Sequence, residues 1–156
     1  MDSSLEGPLK IGDLHDITTY QAGVLQAAAS RATRLHCDKI LSTYGISKTE
    51  WLVIGSVLDA GQSGIHLTDL ANLIDTTRVR IRRIVKKLEK QQMIIASGWG
   101  KARKPINVTI HPTFALDCPE IEQTLRQALR DSIYSKITPL ELRMYLRVMH
   151  QLSLLP

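Results

Sequence analysis

The sequence predicts a mainly α-helical protein that carries one small two-stranded β-hairpin. Three observations predict this fold class: apolar residues at helical spacing over most of the chain, a short helix followed by a strongly basic one, and two β-branched segments directly after the basic helix. The length of 156 residues suits one compact domain with helical extensions. Apolar residues make up 44% of the chain, which is enough for a hydrophobic core.

The N-terminal part predicts an arm and one long helix. Residues 1–15 are polar and contain two glycines and a proline, so we expect a flexible arm. Residues 16–44 contain a single glycine and no proline, and their apolar positions follow helical spacing. Gly45 suits the end of this helix, and Ser47 with Glu50 makes a capping box that begins a second helix at about residue 48.

Two further helices follow the turn "GQSG". Thr68 is predicted to cap a short helix, and Thr77 to cap the basic helix "RVRIRRIVKKLEK". In the basic helix, apolar residues recur at i, i+3, i+4 and i+7 and form one stripe, which consists of Ile81, Ile84, Val85 and Leu88. Only one side of this helix is therefore expected to be buried, with its basic side facing outward.

The segments "MIIAS" and "INVTIH" predict a strand–turn–strand hairpin, with "GWGKARKP" between the strands. Trp99 in this connection is either a packing anchor at the base of the hairpin or an exposed contact, and we favour the packing anchor. Residues 112–156 then predict further helices, and Thr138 with Glu141 forms a capping box before the last one. That helix is apolar nearly all round, so it requires burial on more than one side.

Charge is concentrated in one region. Residues 76–104 contain ten Lys or Arg and a single acid, Glu89, whereas the other 127 residues contain ten basic and fourteen acidic residues. A solvated helix face normally intermixes both signs of charge. A basic patch on an otherwise acidic chain instead indicates a polyanionic partner, usually nucleic acid.

The order helix, short helix, basic helix and hairpin is that of a winged helix-turn-helix, here residues 45–111, in which the second helix of the pair enters the major groove. We expect Arg78 and Arg82 to reach bases, and Arg80 and Arg83 to reach bases or phosphates. We expect Arg103 to enter the minor groove. The remaining candidates are expected to contact phosphates: Thr76, Thr77, Lys86, Lys87, Lys101 and Lys104.

The segment "LTDLANLIDTTRVRIRRIVKKLEKQQMI", residues 67–94, resembles the MarR family of bacterial transcription regulators without a gap, and "ISKTEWLVIGSVL" resembles an earlier helix of that family. The chain departs from the family pattern in three places. Asp75 and Gln92 stand where glycine is usual, and "WGKARK" replaces a wing that usually carries D-x-x-D-x-R.

The resemblance implies a homodimer whose terminal helices, residues 16–44 and 112–156, form the dimer interface. A two-fold dimer is expected to bind a pseudo-palindromic DNA operator. The family implies a sequence-specific regulator, a repressor in our interpretation, modulated by a small ligand or by oxidation. Two alternatives remain open: a protein-interaction adaptor with this fold, and a non-specific architectural DNA binder.

A small aromatic ligand is a further partner that the resemblance suggests, and four residues are candidates for its site: Arg31, His36, Tyr44 and Trp51. The five histidines and two cysteines have no metal-ligand spacing, so no metal and no cofactor is expected. No enzyme motif is found. With neither a signal peptide nor an apolar run of membrane-spanning length, a cytoplasmic protein without membrane association is predicted.

Overall fold

The computed structural model describes residues 17–102 and 104–156. The predicted arm, residues 1–15, lies outside the described residues. The chain divides into two compact units, residues 1–36 and residues 37–156. The described part of the first unit is occupied mainly by helix α1, Thr19–Leu41, whose last five residues belong to the second unit.

The second unit contains the rest of the fold. After a 3₁₀ turn at Ser42–Tyr44, its elements in chain order are α2 (Lys48–Asp59), β1 (Ile65–His66), α3 (Leu67–Leu73), α4 (Arg78–Lys90), β2 (Ile94–Ser97), β3 (Asn107–Ile110), α5 (Pro112–Ala115), α6 (Cys118–Ser132) and α7 (Pro139–Ser153). The mainly α-helical class and the hairpin are thereby confirmed.

Helix α2 begins where the sequence predicted it. The Ser47 hydroxyl accepts a hydrogen bond from the Glu50 backbone N–H at 3.3 Å, and the Glu50 carboxylate accepts one from the Ser47 backbone N–H at 2.8 Å. This capping box satisfies two N–H groups that the first helical turn leaves without partners. Gly45, with φ of 74°, ends the preceding 3₁₀ turn in the left-handed conformation that glycine adopts without strain.

The core of the second unit consists of apolar side chains from most of its helices and from the sheet. The largest fully buried side chains include Leu41, Ile54, Leu70, Leu88 and Ile94. They come from the end of α1 and from α2, α3, α4 and β2, and they belong to one cluster of buried residues. This packing determines which side of α4 remains in solvent.

The sheet has three antiparallel strands in the order β1-β3-β2, one more than the two-stranded wing that the sequence predicted. Ile65 in β1 pairs with Val108 in β3. A strand of two residues is too short to show an alternating sequence pattern, so β1 was not predicted. The strand is preceded by Gly64, where φ is 70° and a Cβ atom would lie 2.6 Å from the Val108 carbonyl oxygen. Only glycine fits this approach.

The predicted N-cap of the short helix is wrong. Thr68 lies inside α3, whose N-cap is His66 and has no side-chain cap hydrogen bond. The Leu67 N–H instead donates to the Ile106 carbonyl at 2.9 Å. The strand β1 passes directly into the helix, and the first N–H of α3 is satisfied by a backbone carbonyl next to β3.

The C-terminal helices differ in their packing. Helix α6 begins with Pro119 in its first turn and buries Cys118, Ile121 and Leu125. Helix α7 begins at the predicted capping box, where the Glu141 N–H donates to the Thr138 hydroxyl at 3.2 Å. No residue of α7 is buried in the single chain.

Candidate nucleic-acid interface

Helix α4 follows a tight turn after α3. Asp75 adopts a left-handed φ of 50° in this turn, and the Thr76 N–H donates to the Ala71 carbonyl at 2.9 Å. Thr77 is the N-cap, as predicted, because its hydroxyl oxygen accepts a hydrogen bond from the Arg80 N–H at 3.2 Å. Thr77 and the arginines of the first turn, Arg78 and Arg80, are exposed to solvent.

The two sides of α4 have opposite chemistry. Ile81, Val85 and Leu88 are fully buried, and Ile84 packs against the core, which confirms the apolar stripe. The other side carries exposed basic residues: Arg78, Arg80, Arg82, Arg83, Lys86, Lys87 and Lys90. The apolar stripe therefore determines which cations face outward.

Lys87 is the one basic residue of α4 that forms a salt bridge within the part of the chain that the structure describes. Its ammonium lies 2.7 Å from the carboxylate of Glu50, which is 7% exposed. Since the second oxygen of Glu50 closes the capping box of α2, one carboxylate ties the start of α2 to α4. The expected phosphate contact of Lys87 stays a prediction, because half of its side chain is accessible but its charge already has a partner.

Trp99 connects the wing to α4. Its indole N–H donates to Glu89 at 3.0 Å, and the cationic groups of Arg82 and Lys86 lie 5.0 and 5.4 Å from the ring centroid. The other carboxylate oxygen of Glu89 accepts a hydrogen bond from the Ala96 N–H in β2 at 3.1 Å. The single acid of the basic region is therefore engaged with the wing, and the interpretation of Trp99 as a packing anchor agrees with its position.

The wing extends the basic surface beyond α4. Lys101 and Lys104 are exposed on the connection between β2 and β3, whereas Arg103 lies outside the described residues. Where α3, α4 and the wing meet there is a cavity of about 210 Å³, with three cations on its walls. Its described lining consists of His66, Leu67, Thr68, Arg78, Arg82, Lys104, Pro105 and Ile106.

Charge compensation on this surface is slight. The described residues form two salt bridges, Lys87–Glu50 and the surface pair Arg126–Glu122. We define the basic surface as the outward-facing cations of α4 and the wing without a described acidic partner: Arg78, Arg80, Arg82, Arg83, Lys86, Lys90, Lys101 and Lys104. Clustered uncompensated cations attract a polyanion.

The four candidate ligand residues occupy different surroundings. Arg31 and His36 are exposed in the first unit. In the second unit, Tyr44 and Trp51 are partly buried against the core, and the Tyr44 hydroxyl donates to Thr124 at 3.4 Å. The ligand site therefore stays a prediction.

Both cysteines are buried. Burial raises the pKa of the Cys37 thiol and that of the Cys118 thiol, which disfavours the reactive thiolate. In the part of the chain that the structure describes, no group of three or more His, Cys, Asp or Glu side chains converges as a metal site would require. Nor is any helix of that part long and apolar enough to cross a membrane.

Comparison with known proteins gives similarity of structure only. No family model matches the sequence, and no curated protein matches it significantly. A MarR family transcriptional regulator from Rhodococcus sp. RHA1 superimposes with a TM-score of 0.79 at 11% identity, over 89% of this chain and 96% of that one. The protein has the MarR fold.

Two other similar structures contain bound partners. Sco3205, a MarR family regulator from Streptomyces coelicolor in complex with DNA, gives a TM-score of 0.74 at 16% identity, covering 90% of this chain and 94% of its own. CouR from Rhodococcus jostii RHA1, bound to p-coumaroyl-CoA, gives 0.74 at 12% identity, covering 94% and 98%. At these identities the similarity to MarR proteins establishes the fold, and function has to be argued from the residues.

The departures from the MarR sequence pattern have structural explanations. Asp75 and Gln92, which stand where glycine is usual, have left-handed φ values of 50° and 58°. The backbone therefore keeps the conformation that a glycine would adopt, at a cost in strain that is smaller for aspartate than for most residues. In place of the missing wing acids, Trp99 and Glu89 form the described contacts between wing and α4.

Several contacts at the candidate interface were not predicted from the sequence. Glu50 was recognised only as a capping residue, although it also binds Lys87, which is 37 positions away. Glu89 was recognised only as an isolated acid. Its position as the single carboxylate among ten cations was the signal that it has a structural partner.

Proposed function

We propose that this protein is a homodimeric, sequence-specific DNA-binding transcriptional regulator of the MarR family that acts as a repressor. The observation that carries the proposal is the basic surface, which combines an outward-facing basic helix with a basic wing and has no described acidic partner. Phosphates require such donors, and the edge of guanine suits the bidentate guanidinium of arginine. The DNA-bound state of the structurally similar Sco3205 supports the same assignment.

Within this surface, the residues have separate proposed roles. Arg78 and Arg82 read base edges, because they lie in the first part of α4 and face away from the buried stripe. The sugar-phosphate backbone beside these bases is bound by Thr76, Thr77 and Lys86. Arg80 and Arg83 bind either the backbone or further bases. In the wing, Lys101 and Lys104 bind phosphates, and Arg103 enters the minor groove.

Dimerisation is proposed from α7. The helix has no buried residue, and most of its large apolar side chains are between 44% and 62% exposed in the single chain: Leu140, Met144, Tyr145, Leu146, Val148, Met149 and Leu152. A contiguous apolar helix face of this kind marks a protein interface. A two-fold dimer would present two copies of α4 to successive major grooves about 34–36 Å apart.

The proposed effector is a small ligand with an aromatic ring rather than an oxidant. Structural similarity to CouR bound to p-coumaroyl-CoA supports the ligand class. Oxidation is disfavoured because both thiols are buried and have raised pKa values. The candidate residues for the ligand are Arg31, His36, Tyr44 and Trp51, and p-coumaroyl-CoA is the first probe to add to a preformed DNA complex.

The test is a fluorescence-anisotropy titration against duplexes tiled from the DNA that flanks the coding region, at two salt concentrations with excess competitor DNA. We expect one duplex to bind about 10³-fold or more tighter than the others. Arg78→Ala/Arg83→Ala should remove this binding, whereas Arg126→Ala/Arg130→Ala, which removes the same charge from α6, should preserve it. Uniform binding would favour an architectural DNA binder, and no binding at low salt would favour the protein adaptor.

A further inference from the structure

The wing carries Trp99 between two glycines with positive φ, a conformation that favours glycine. Gly98 has a φ of 95°, and a Cβ atom there would lie 2.8 Å from the Pro105 carbonyl oxygen across the wing. Gly100 has a φ of 69°. These two residues turn the chain sharply after β2, so that the intervening indole returns to α4 instead of continuing along the strand.

The indole contacts α4 at three places separated by about one turn. The Arg82 and Lys86 cations both lie within 6 Å of the ring centroid, the range of a cation–π contact. The ring N–H donates to Glu89, one helical turn further along. One hydrogen bond therefore sets the orientation of the ring, and the ring in turn sets the position of two cations.

Glu89 is itself held in place. One carboxylate oxygen accepts the indole N–H at 3.0 Å, and the other accepts the Ala96 backbone N–H at 3.1 Å. Because both oxygens have partners from the wing, the carboxylate forms no described salt bridge with the arginines of α4. Arg82 and Lys86 therefore contact the indole ring and have no described acidic partner.

We propose that Trp99 is a positioning residue that determines sequence specificity, by holding the Arg82 and Lys86 side chains in a fixed arrangement before DNA binds. Long basic side chains lose rotamer freedom when they bind, and ordering them in advance lowers that cost. A guanidinium stacked on a ring uses its face, so its N–H edge remains available to guanine. This inference rests on the proposed function, since it assigns the way in which the same surface reads DNA.

The first experiment measures the free protein. The side-chain CH₂ resonances of Arg82 and Lys86 are recorded by ¹H–¹³C NMR in wild type, Trp99→Phe and Trp99→Leu. Stacking predicts ring-current shifts that are largest in wild type, reduced in Trp99→Phe and absent in Trp99→Leu. Trp51→Phe, which changes the other indole of the chain, is the control and should leave both sets unchanged. Identical shifts in wild type and Trp99→Leu would overturn the proposed arrangement.

The second experiment measures the ratio of specific to non-specific DNA affinity by anisotropy. Trp99→Leu should lower this ratio about tenfold, with little change in the salt dependence, because every cation is still present. Trp99→Phe should retain part of the ratio, since a phenyl ring still contacts a guanidinium but has no N–H to donate to Glu89. A purely structural role predicts instead that specific and non-specific binding fall together and that the unfolding temperature falls with them.

The outcomes separate the two proposals. A wild-type protein without specific DNA binding would overturn the proposed function, and the role of Trp99 in specificity with it. Specific binding in the wild type that survives Trp99→Leu unchanged would overturn the role of Trp99 alone. Circular dichroism of each variant confirms that the compared proteins are folded.

Discussion

Helices α4 and α7 are both amphipathic, but they expose opposite kinds of surface. In α4 the apolar side is fully buried at Ile81, Val85 and Leu88, and the exposed side is basic. In α7 no residue is buried, and the exposed surface is largely apolar, with Tyr145 and Leu152 each 53% accessible. The apolar side of α4 is buried within its own chain, whereas the apolar surface of α7 is not.

This difference indicates two kinds of partner. An exposed apolar face is stabilised by another apolar surface, because its burial removes it from water. An exposed basic face has little to gain from apolar contact and is stabilised by a polyanion, with the release of counterions. The proposed protein interface on α7 and the proposed nucleic-acid interface on α4 therefore use different residues, so each can be altered separately.

The largest expected effect comes from placing a charge in the apolar face of α7. Met149→Glu should convert the proposed dimer to a monomer, because the new carboxylate would be buried without a partner. Since each monomer then binds only one half-site, specific DNA affinity should fall about 10²-fold or more. Light scattering coupled to gel filtration measures the mass, and anisotropy measures the affinity.

The matched control is Gln151→Glu, which adds the same charge next to Arg147 at the edge of the polar side of α7, about 160° from Met149 around a regular helix. It should leave mass and affinity near wild type. A Met149→Glu protein that remains dimeric would show that α7 does not form the interface. A wild-type protein that is monomeric at micromolar concentration would contradict the proposed dimer itself.

An intermediate effect is expected from loosening the attachment of α4. Lys87→Met removes the 2.7 Å salt bridge to the nearly buried Glu50. Because the ammonium is half exposed and the bridge is partly screened, we expect the free energy of unfolding to fall by about 1 kcal/mol. Urea denaturation measures it.

Lys90→Met is the matched control for Lys87→Met, since it removes a cation with no described acidic partner from the same helix. It should leave the free energy of unfolding nearly unchanged. If Lys87→Met weakens DNA binding while stability is unaltered, Lys87 is a phosphate contact, as the sequence predicted, rather than an anchor of α4.

The smallest effect is expected at the start of α7 and depends on pH. Hydrogen bonds from the Thr138 backbone and hydroxyl lower the pKa of Glu141 from its ordinary value of 4.5. A lowered pKa in the folded state means that the carboxylate stabilises the fold above that ordinary value, and that this stabilisation is lost as the pH falls through the lowered one. The melting temperature of Glu141→Gln should therefore lie slightly below that of wild type at pH 6. At pH 2 the two proteins should have the same melting temperature.

Glu122→Gln, which removes a carboxylate from a surface pair with Arg126 on α6, is the comparison for Glu141→Gln. Melting curves followed by circular dichroism at both pH values would show whether the effect belongs to the capping box. Equal shifts in the two variants at pH 6 would contradict a specific role for the hydrogen bonds of Glu141.

The elements that sequence predicted well are those specified by nearby residues. The stripe of α4 follows from a 3.6-residue period, and the caps at Ser47, Thr77 and Thr138 each depend on a partner three positions away. A long segment with apolar residues at helical spacing, one glycine and no proline similarly predicted α1. Such local patterns are readable because the interacting residues are neighbours in the chain.

The features that sequence did not predict depend on contacts between distant residues. Strand β1 exists because Ile65 pairs with Val108. Helix α3 begins at Leu67, one residue before the predicted cap Thr68, where the Leu67 N–H donates to the Ile106 carbonyl. The outward face of α4 was predicted, but the contacts of Lys87 with Glu50 and of Arg82 with Trp99 were not. These depend on how the helix is placed in three dimensions.

The most direct test of the central claim, that the outer face of α4 reads base edges, is a double-mutant cycle across the interface. Wild type and Arg82→Ala are titrated against the specific duplex and against duplexes in which single guanines are replaced by 7-deazaguanine. The account predicts that one replacement in each half-site costs wild type about 1–3 kcal/mol and costs Arg82→Ala nothing further. Replacements that weaken both proteins equally, or that weaken neither, would contradict it.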